Sequence, residues 1–418
     1  MIRRLVLLCC LLPLIAVTPA RATNGPTVFF EPGAGDAPVI ALIGRARHSI
    51  RLEVYELTDT AVEDALGRAR RRGVRVRVLL EERPFGGERY ASAAYLALRQ
   101  QGISVRWANE GAFRFTHEKA IVIDGRLAGI FTFNLTYSGT GSNREFGVID
   151  PRVADASALA KIFDADWSRR SPRTHLGRLV ISPINARSRL SGLINGARHT
   201  LDVYAEEVED SGLEADLIAA RRRGVRVRLI TSSDSAGVEM LRGGGVGTAI
   251  LSSPYIHAKA IVADGKRVFI GSENISTTSL DDNREAGIIL GRTAARTVER
   301  VFSGDWALGG GSIPSSRPVH IRGPFRVRVR VSPSPVRRDE LLTIAAVTHP
   351  GADCSVTVTY PDGYVSRAHS LAGERRADGG RVEWSYDEGS TASGTASASV
   401  TCTLGAHRAT GRATFTIR

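Results

Sequence analysis

The feature that most constrains this chain is one pattern that occurs twice. His117-Glu-Lys119-Ala-Ile-Val-Ile-Asp124 is matched 140 residues later (257 − 117 = 140) by His257-Ala-Lys259-Ala-Ile-Val-Ala-Asp264. Both read H-x-K-x-x-x-x-D. Asn134 and Asn274 each follow their histidine by 17 residues, and Glu145 and Glu285, each in an N-R-E string, by 28. Trp167 in F-D-A-D-W and Trp306 in F-S-G-D-W close the two copies. Upstream, Ala46-Arg47-His48 answers Ala197-Arg198-His199. R-R-G-V-R-V-R around Gly73 answers the same string around Gly224 at an offset of 224 − 73 = 151. The first copy therefore carries 151 − 140 = 11 more residues, in the region 81–115. Two copies of one long unit are a duplicated domain; a solenoid would show three or more short repeats. The arrangement implied is one active site built from two halves.

Periodicity reads as alternating helix and strand through both copies. Residues 37–46 and 183–197 read as amphipathic helices, and 50–56 and 201–205 as strands. Residues 60–72 and 212–223 read as helices with arginines at the C-terminal end, where cations suit the helix dipole. Gly73 and Gly224 are their stops. Arg alternating with Val in 74–78 and 225–229 reads as a strand with one wet face. The near-continuous apolar runs 119–124 and 259–264 read as buried strands, and the Asp-Gly that ends each signals a hairpin. His and Lys two apart on a strand share a face. The fold class expected is α/β: two sandwich halves with their motif edges together about a pseudo-two-fold axis.

These paired motifs, with G-S-x-N trailing, resemble the phospholipase D superfamily over about residues 27–306. The second copy is complete in Gly271-Ser272-Glu273-Asn274. The first has Phe131-Thr132-Phe133-Asn134, which keeps a hydroxyl at Thr132 but replaces Gly by Phe131, predicting a narrower or more apolar pocket on that side. Two histidines and two lysines in one pocket suit a phosphodiester. Lys119 and Lys259 neutralise its nonbridging oxygens, and Asn134 and Asn274, with the hydroxyls of Thr132 and Ser272, add neutral donors. One histidine attacks phosphorus, forming a phosphohistidine. The other protonates the leaving alcohol and then activates water. Glu145 and Glu285 each accept a ring N–H from a histidine and fix its tautomer. The resemblance points to His117 as nucleophile and His257 as general acid, an assignment that the sequence symmetry leaves open. Asp124 and Asp264 read as structural groups at the turns. The pattern implies no metal and no cofactor: no Cys cluster or His-rich spacing is present, and two lysines beside the histidines repel a cation.

The first 22 residues read as a signal peptide: Arg3 and Arg4, an apolar run over 5–17, and Ala20-Arg21-Ala22 as cleavage site. A secreted or extracytoplasmic protein is expected. Without three arginines of that segment the net charge of +13 becomes about 13 − 3 = +10, which favours anionic partners or reflects a solvated Arg-rich surface. Cys354 and Cys402 are the cysteines left, and in an exported chain they predict one disulfide. After a linker at 309–320, residues 321–418 read as short Thr/Val strands with turns, a β-sandwich. Cys354, Trp384 and Cys402 echo the Cys-Trp-Cys theme of immunoglobulin-like modules. The halves are placed at 23–172 and 173–308.

The function expected is an exported phospholipase D-like phosphodiesterase that hydrolyses phospholipid head groups and releases phosphatidic acid. The C-terminal module would hold it on an envelope or surface polymer. A monomer suffices, because both half-sites lie in one chain. A secreted endonuclease and a cardiolipin synthase-type transferase are alternatives within the family. A catalytically dead surface-binding protein is the alternative outside enzymes. Only 6% of residues are aromatic, which leaves little for base stacking on nucleic acid.

Overall fold

The computed structural model describes residues 25–312 and 324–418, apart from 86, 339, 367, 372–374, 378–379, 390–391 and 405–406. The expected signal segment and most of the expected linker lie outside the described residues. The chain divides into two compact units at Pro314 and Ser315.

In the first unit, the first half supplies β1 (Thr27–Glu31), β2 (Ser49–Val54), β3 (Arg75–Leu80), β4 (Ser104–Trp107), β5 (Lys119–Ile123), β6 (Leu127–Phe131) and β7 (Glu145–Asp150). They form one sheet in the order β1-β7-β6-β5-β2-β3-β4. The second half supplies β8 (Leu179–Ser182), β9 (Thr200–Tyr204), β10 (Val208–Glu209), β11 (Arg226–Thr231), β12 (Gly247–Ile250), β13 (Ala260–Ala263), β14 (Arg267–Gly271), β15 (Ile275–Ser276) and β16 (Glu285–Leu290). Its large sheet runs β12-β11-β9-β13-β14-β16-β8, and β10 pairs with β15 alone. Read from the opposite edge, this is the first sheet's order strand for strand, so the sequence repeat is a repeat of topology. Mixed α/β architecture with two seven-stranded sheets results.

Helices connect the strands: α1 (Ala37–Gly44), α2 (Thr60–Arg71), α3 (Glu88–Gln100), α4 (Tyr137–Gly141) and α5 (Val153–Trp167), then α6 (Ala186–Asn195), α7 (Ser211–Arg222), α8 (Ala236–Gly243) and α9 (Arg292–Leu308). The Asp59 carboxylate caps α2 by accepting from Ala61 and Val62 N–H, and Asp210 caps α7 through Leu213. At the other ends Gly73 and Gly224 take φ +90° and +91°, where a side chain would be strained. Val74 N–H then reaches back to Ala69 O and Gly73 N–H to Arg70 O, with Val225 to Ala220 and Gly224 to Arg221 in the second half. The 11 extra residues divide between the segment before α3, the longer α3 and the segment before β5.

Alternate strand residues separate three cores. Leu127 and Phe131 of β6 face outward under α1, whereas Ala128 and Ile130 face a central core. That core joins the halves: Val122, Ile130 and Phe146 share it with Val262, Ile270 and Ile288, and with Ile162 of α5 and Phe302 of α9. The expectation of a wet face holds at Arg75 and Arg226, which are exposed, and is corrected at Arg77 and Arg228. Arg77 pairs with Asp164 of α5 at 2.5 Å and lies 5.3 Å over the Trp167 ring. Arg228 is 4.8 Å over Phe302 of α9, with Asp202 as its ion pair at 2.7 Å. The closing helices cover that end of the face, so part of the basic excess is neutralised internally.

The C-terminal unit holds β17 (Arg328–Ser332), β18 (Leu341–Val347), β19 (Asp353–Thr359), β20 (Arg375–Arg376), β21 (Arg381–Asp387), β22 (Gly394–Leu404) and β23 (His407–Ile417). They make antiparallel sheets β17-β18-β21 and β20-β19-β22-β23. Inward residues of both, among them Ile344, Trp384, Val358 and Phe415, form one core. Cys354 and Cys402 are bonded. They face each other across β19 and β22, within one sheet, whereas the immunoglobulin pattern joins two sheets. The bridge closes 48 residues of chain, for which loop entropy gives about 4 kcal/mol. Replacing both cysteines by Ser is expected to lower the denaturant midpoint of this unit by a corresponding amount; an unchanged midpoint would show that the bridge contributes nothing.

Candidate active site

The site begins where the two halves exchange backbone. His117 N–H donates to Arg284 O at 2.8 Å, and Arg284 N–H to Phe115 O at 2.9 Å. The mirror contacts run from Arg144 N–H to Tyr255 O at 2.8 Å and from His257 N–H to Arg144 O at 3.3 Å. Each motif therefore enters its strand beside the N-R-E segment of the other half. The arginines of those segments also cross over. Arg144 donates to Asp305 at 2.6 and 2.9 Å, where the Tyr204 hydroxyl also donates at 2.6 Å. Arg284 donates to Asp166 at 3.0 Å and to Ser182 O at 2.7 Å.

The crossing gives each histidine the glutamate of the opposite copy. His117 Nδ1 lies 2.9 Å from Glu285 Oε2. His257 Nδ1 lies 2.5 Å from Glu145 Oε1, an ion-pair contact whose angle falls outside hydrogen-bond geometry. Both glutamates are fully buried. Thr132 Oγ1 donates to Glu145 at 2.5 Å, while Ser279 Oγ and Asn283 Nδ2 donate to Glu285 at 2.8 and 3.1 Å. Lys119 and Lys259 are buried beside them, each donating to the carbonyl of its own motif histidine at 2.6 Å. Asn134 donates to Glu56 at 3.0 Å, and its Oδ1, like that of Asn274, has no partner among the described residues.

Charge and burial tune these groups. Burial pushes the His117 imidazole down to about 4 against the attraction of Glu285, and Lys119 and Lys259 add to the fall. Burial likewise brings Lys119 down to about 7, opposed by Glu285 and helped by Lys259. For Glu285 burial works against the charge, but His117 and Lys119 hold its carboxyl below the usual range. An ionised Glu285 only accepts, so the shared proton sits on His117 Nδ1 and Nε2 keeps its lone pair. The lysines, histidines and carboxylates of both halves act on one another, as one charged site requires.

Two expectations are corrected. Phe131 does not narrow the pocket: its ring is buried in the outer core, stacked on Phe133 at 4.8 Å. Two residues earlier is Gly129, where a Cβ would meet Phe131 at 2.8 Å; in the second half the order is reversed, with Phe269 before Gly271. The same space is filled from the other position. Thr132 and Ser272 are not free donors for a phosphate. Both are buried, and their hydroxyls are engaged by Glu145 and Glu285 and by the Phe146 and Ala286 N–H groups. Asp124 and Asp264 lie at the strand ends, accepting three backbone N–H groups each, from Arg47, His48 and Ser49 and from Arg198, His199 and Thr200.

Sequence reasoning missed several groups. Arg144 and Arg284 lie in N-R-E and Asp166 and Asp305 in D-W, so repetition marked them, but not their pairing across the halves. Tyr55 and Glu206 flank the motifs. The Tyr55 ring is 4.6 Å from that of His117, and Glu206 is 2.5 Å from Lys259 Nζ.

Fold and site together are those of the duplicated phospholipase D-like class. The profile of the family described as "Cardiolipin synthase, PLD-like domain" matches residues 39–167 and 190–306, more than half of the chain. The chain belongs to this family, within the phospholipase D superfamily. It is 26% identical over 328 residues to a cardiolipin synthase of Geobacillus kaustophilus, covering 66% of this chain and 63% of that one. It is 28% identical to a probable phospholipase D of Caenorhabditis elegans over 32% of this chain and 26% of that one. The chain thus spans less than two thirds of the length of either relative. A phosphatidylserine synthase structure from Haemophilus influenzae shares the fold, with TM-score 0.52 and 11% identity over 68% of this chain and 87% of that one.

Glu285→Gln and Glu145→Gln should each lower kcat on the order of 10⁴-fold, the scale of the equivalent change in a Ser-His-Asp triad, with KM little altered. Steady-state kinetics of both variants checks this. A second expectation concerns acid. His117 takes up a proton near its ordinary 6.5 when unfolded but only near 4 when folded. The unfolded state then binds more protons between those values, so stability contributed above pH 6.5 is lost as pH falls toward 4. Urea unfolding across that window should show the decline, and His117→Asn should flatten it.

Proposed function

We propose that this chain is an exported phospholipase D-type phosphodiesterase acting on phospholipid head groups. The crossed pairs His117–Glu285 and His257–Glu145, beside Lys119 and Lys259, carry the reading. The lysines hold the phosphodiester anion and the charge that grows in the transition state. One histidine displaces the head-group alcohol and becomes a phosphatidyl-histidine while the other donates a proton to the leaving oxygen. Water, deprotonated by that second histidine, then breaks the N–P bond and releases phosphatidic acid. The C-terminal unit is proposed as an immunoglobulin-like module that holds the enzyme on an envelope polymer, and a monomer as the working form. A second reading is supported by the cardiolipin synthase relative that aligns with 66% of the chain. There an alcohol of a second lipid replaces water at the same intermediate.

The test gives the protein, with EDTA present, phosphatidylcholine vesicles, phosphatidylglycerol vesicles or plasmid DNA, beside a His257→Ala control. Choline and phosphatidic acid absent from the control are expected. Cardiolipin from phosphatidylglycerol would select the transferase. DNA cleavage alone would move the protein to the nuclease reading, and binding retained by the control with no product anywhere would make it a surface-binding protein.

A further inference from the structure

The two half-sites differ at one position that faces the chemistry. The pairings Ser49↔Arg75 and Thr200↔Arg226 fix the upstream offset, so Tyr55 and Glu206 occupy equivalent places (206 − 55 = 151) just past β2 and β9. In the first half the Tyr55 ring lies edge-on to His117, with Lys119 Nζ 5.1 Å from its centroid. In the second half the Glu206 carboxylate stands 3.5 Å from His257 Nε2 and 2.5 Å from Lys259 Nζ, and accepts the Tyr255 hydroxyl at 3.3 Å. Nδ1 of each histidine faces a buried glutamate, by a hydrogen bond in His117 and by an ion-pair contact in His257, so Nε2 is the nitrogen left for substrate. The His117 ring has an aromatic ring beside it, and His257 Nε2 has an anion.

A nucleophilic imidazole must present a lone pair at Nε2, and a general acid must present a proton there. A carboxylate within 4 Å favours the protonated ring. Other charged groups around His257 are Glu145 at Nδ1, Lys259 on its own strand, and Glu56 and His117 from the first half. Glu145 has its counterpart in Glu285, and Lys259 in Lys119. Lys259 opposes a second positive charge, but Glu206 contacts it directly. Glu56 corresponds to Glu207 (207 − 56 = 151), so among these groups Glu206 is the carboxylate whose equivalent place holds an uncharged side chain, Tyr55.

We propose that Glu206 is a positioning residue that keeps a proton on His257 Nε2, and so supports the assignment that the family resemblance implies, His257 as general acid and His117 as nucleophile. This rests on the phosphodiesterase reading. In the first step the His117 Nε2 lone pair forms the N–P bond as the P–O bond to the leaving alcohol breaks, and that oxygen takes the proton from His257. In the second, water attacks phosphorus, its proton passes to His257 Nε2, and the N–P bond breaks to restore His117.

Diethyl pyrocarbonate acylates unprotonated imidazole, and peptide mapping resolves each histidine. The side chains of His117 and His257 are 15% and 14% exposed, so their relative rates report protonation rather than access. At pH 7 His117 is expected to react several-fold faster than His257. Glu206→Gln should raise labelling of His257 several-fold and change that of His117 much less, since Glu206 contacts His257 and acts on His117 only at longer range. Equal labelling in the unaltered chain, or a change in both histidines alike, overturns the proposal. This readout needs no turnover. Kinetics add a second: Glu206→Gln should slow a phosphodiester with an alkyl alcohol leaving group much more than one that releases p-nitrophenolate, which departs without a proton. Equal slowing of both also overturns the proposal. Cleavage of neither by the unaltered chain overturns the phosphodiesterase reading, and the labelling result then decides Glu206 by itself.

Discussion

The structure depends on the exchange of backbone between the two copies of the repeat. Because the segment entering β5 hydrogen-bonds to the segment entering β16, and that entering β13 to that entering β7, each buried glutamate meets the histidine of the other half. A buried carboxylate without a partner would be costly. Either half alone would leave Glu145 or Glu285 without its histidine. Packing of the halves and assembly of the site are therefore one event. The Arg144–Asp305 and Arg284–Asp166 pairs bind the same crossing from behind, and removing one partner of such a pair leaves an uncompensated buried charge.

Within this symmetry the halves have diverged by compensated changes. Phe131 after Gly129 and Phe269 before Gly271 fill the same space from different positions. Tyr204, bonded to Asp305, corresponds to Glu53, which lies with Glu118 near Asp166 and Arg284. Burial and the neighbouring carboxylates push Glu118 up to about 8 despite Arg284, so it is largely neutral at pH 7. The second half has Ala258 at that place. Tyr55 against Glu206 is the divergence that reaches the reacting groups.

Much of this was legible in the sequence, because the determinants are local and repeated. The H-x-K spacing placed His and Lys on one strand face, glycines stopped α2 and α7, and the offsets marked Asn134, Asn274, Glu145 and Glu285. Which glutamate serves which histidine was not legible, since His117 and Glu285 are 168 residues apart and repetition is silent on crossing. The arginine-lined strand face read as wet because its cover, α5 or α9, comes much later in the chain. Phe131 misled because its compensation sits two residues away in the other copy. Glu206 escaped notice because agreement between copies was the signal, and this position carries its meaning by disagreement. The cysteine pair was legible as a pair, but not as neighbours within one sheet.

The proposed reaction is two displacements at one phosphorus, with one histidine as nucleophile and the other as acid and then base. The most direct measurement is the stereochemical course with a diester made chiral at phosphorus by sulfur and oxygen isotopes. Two in-line displacements predict overall retention of configuration. Inversion would mean that water attacks the substrate directly, and would contradict a covalent role for either histidine.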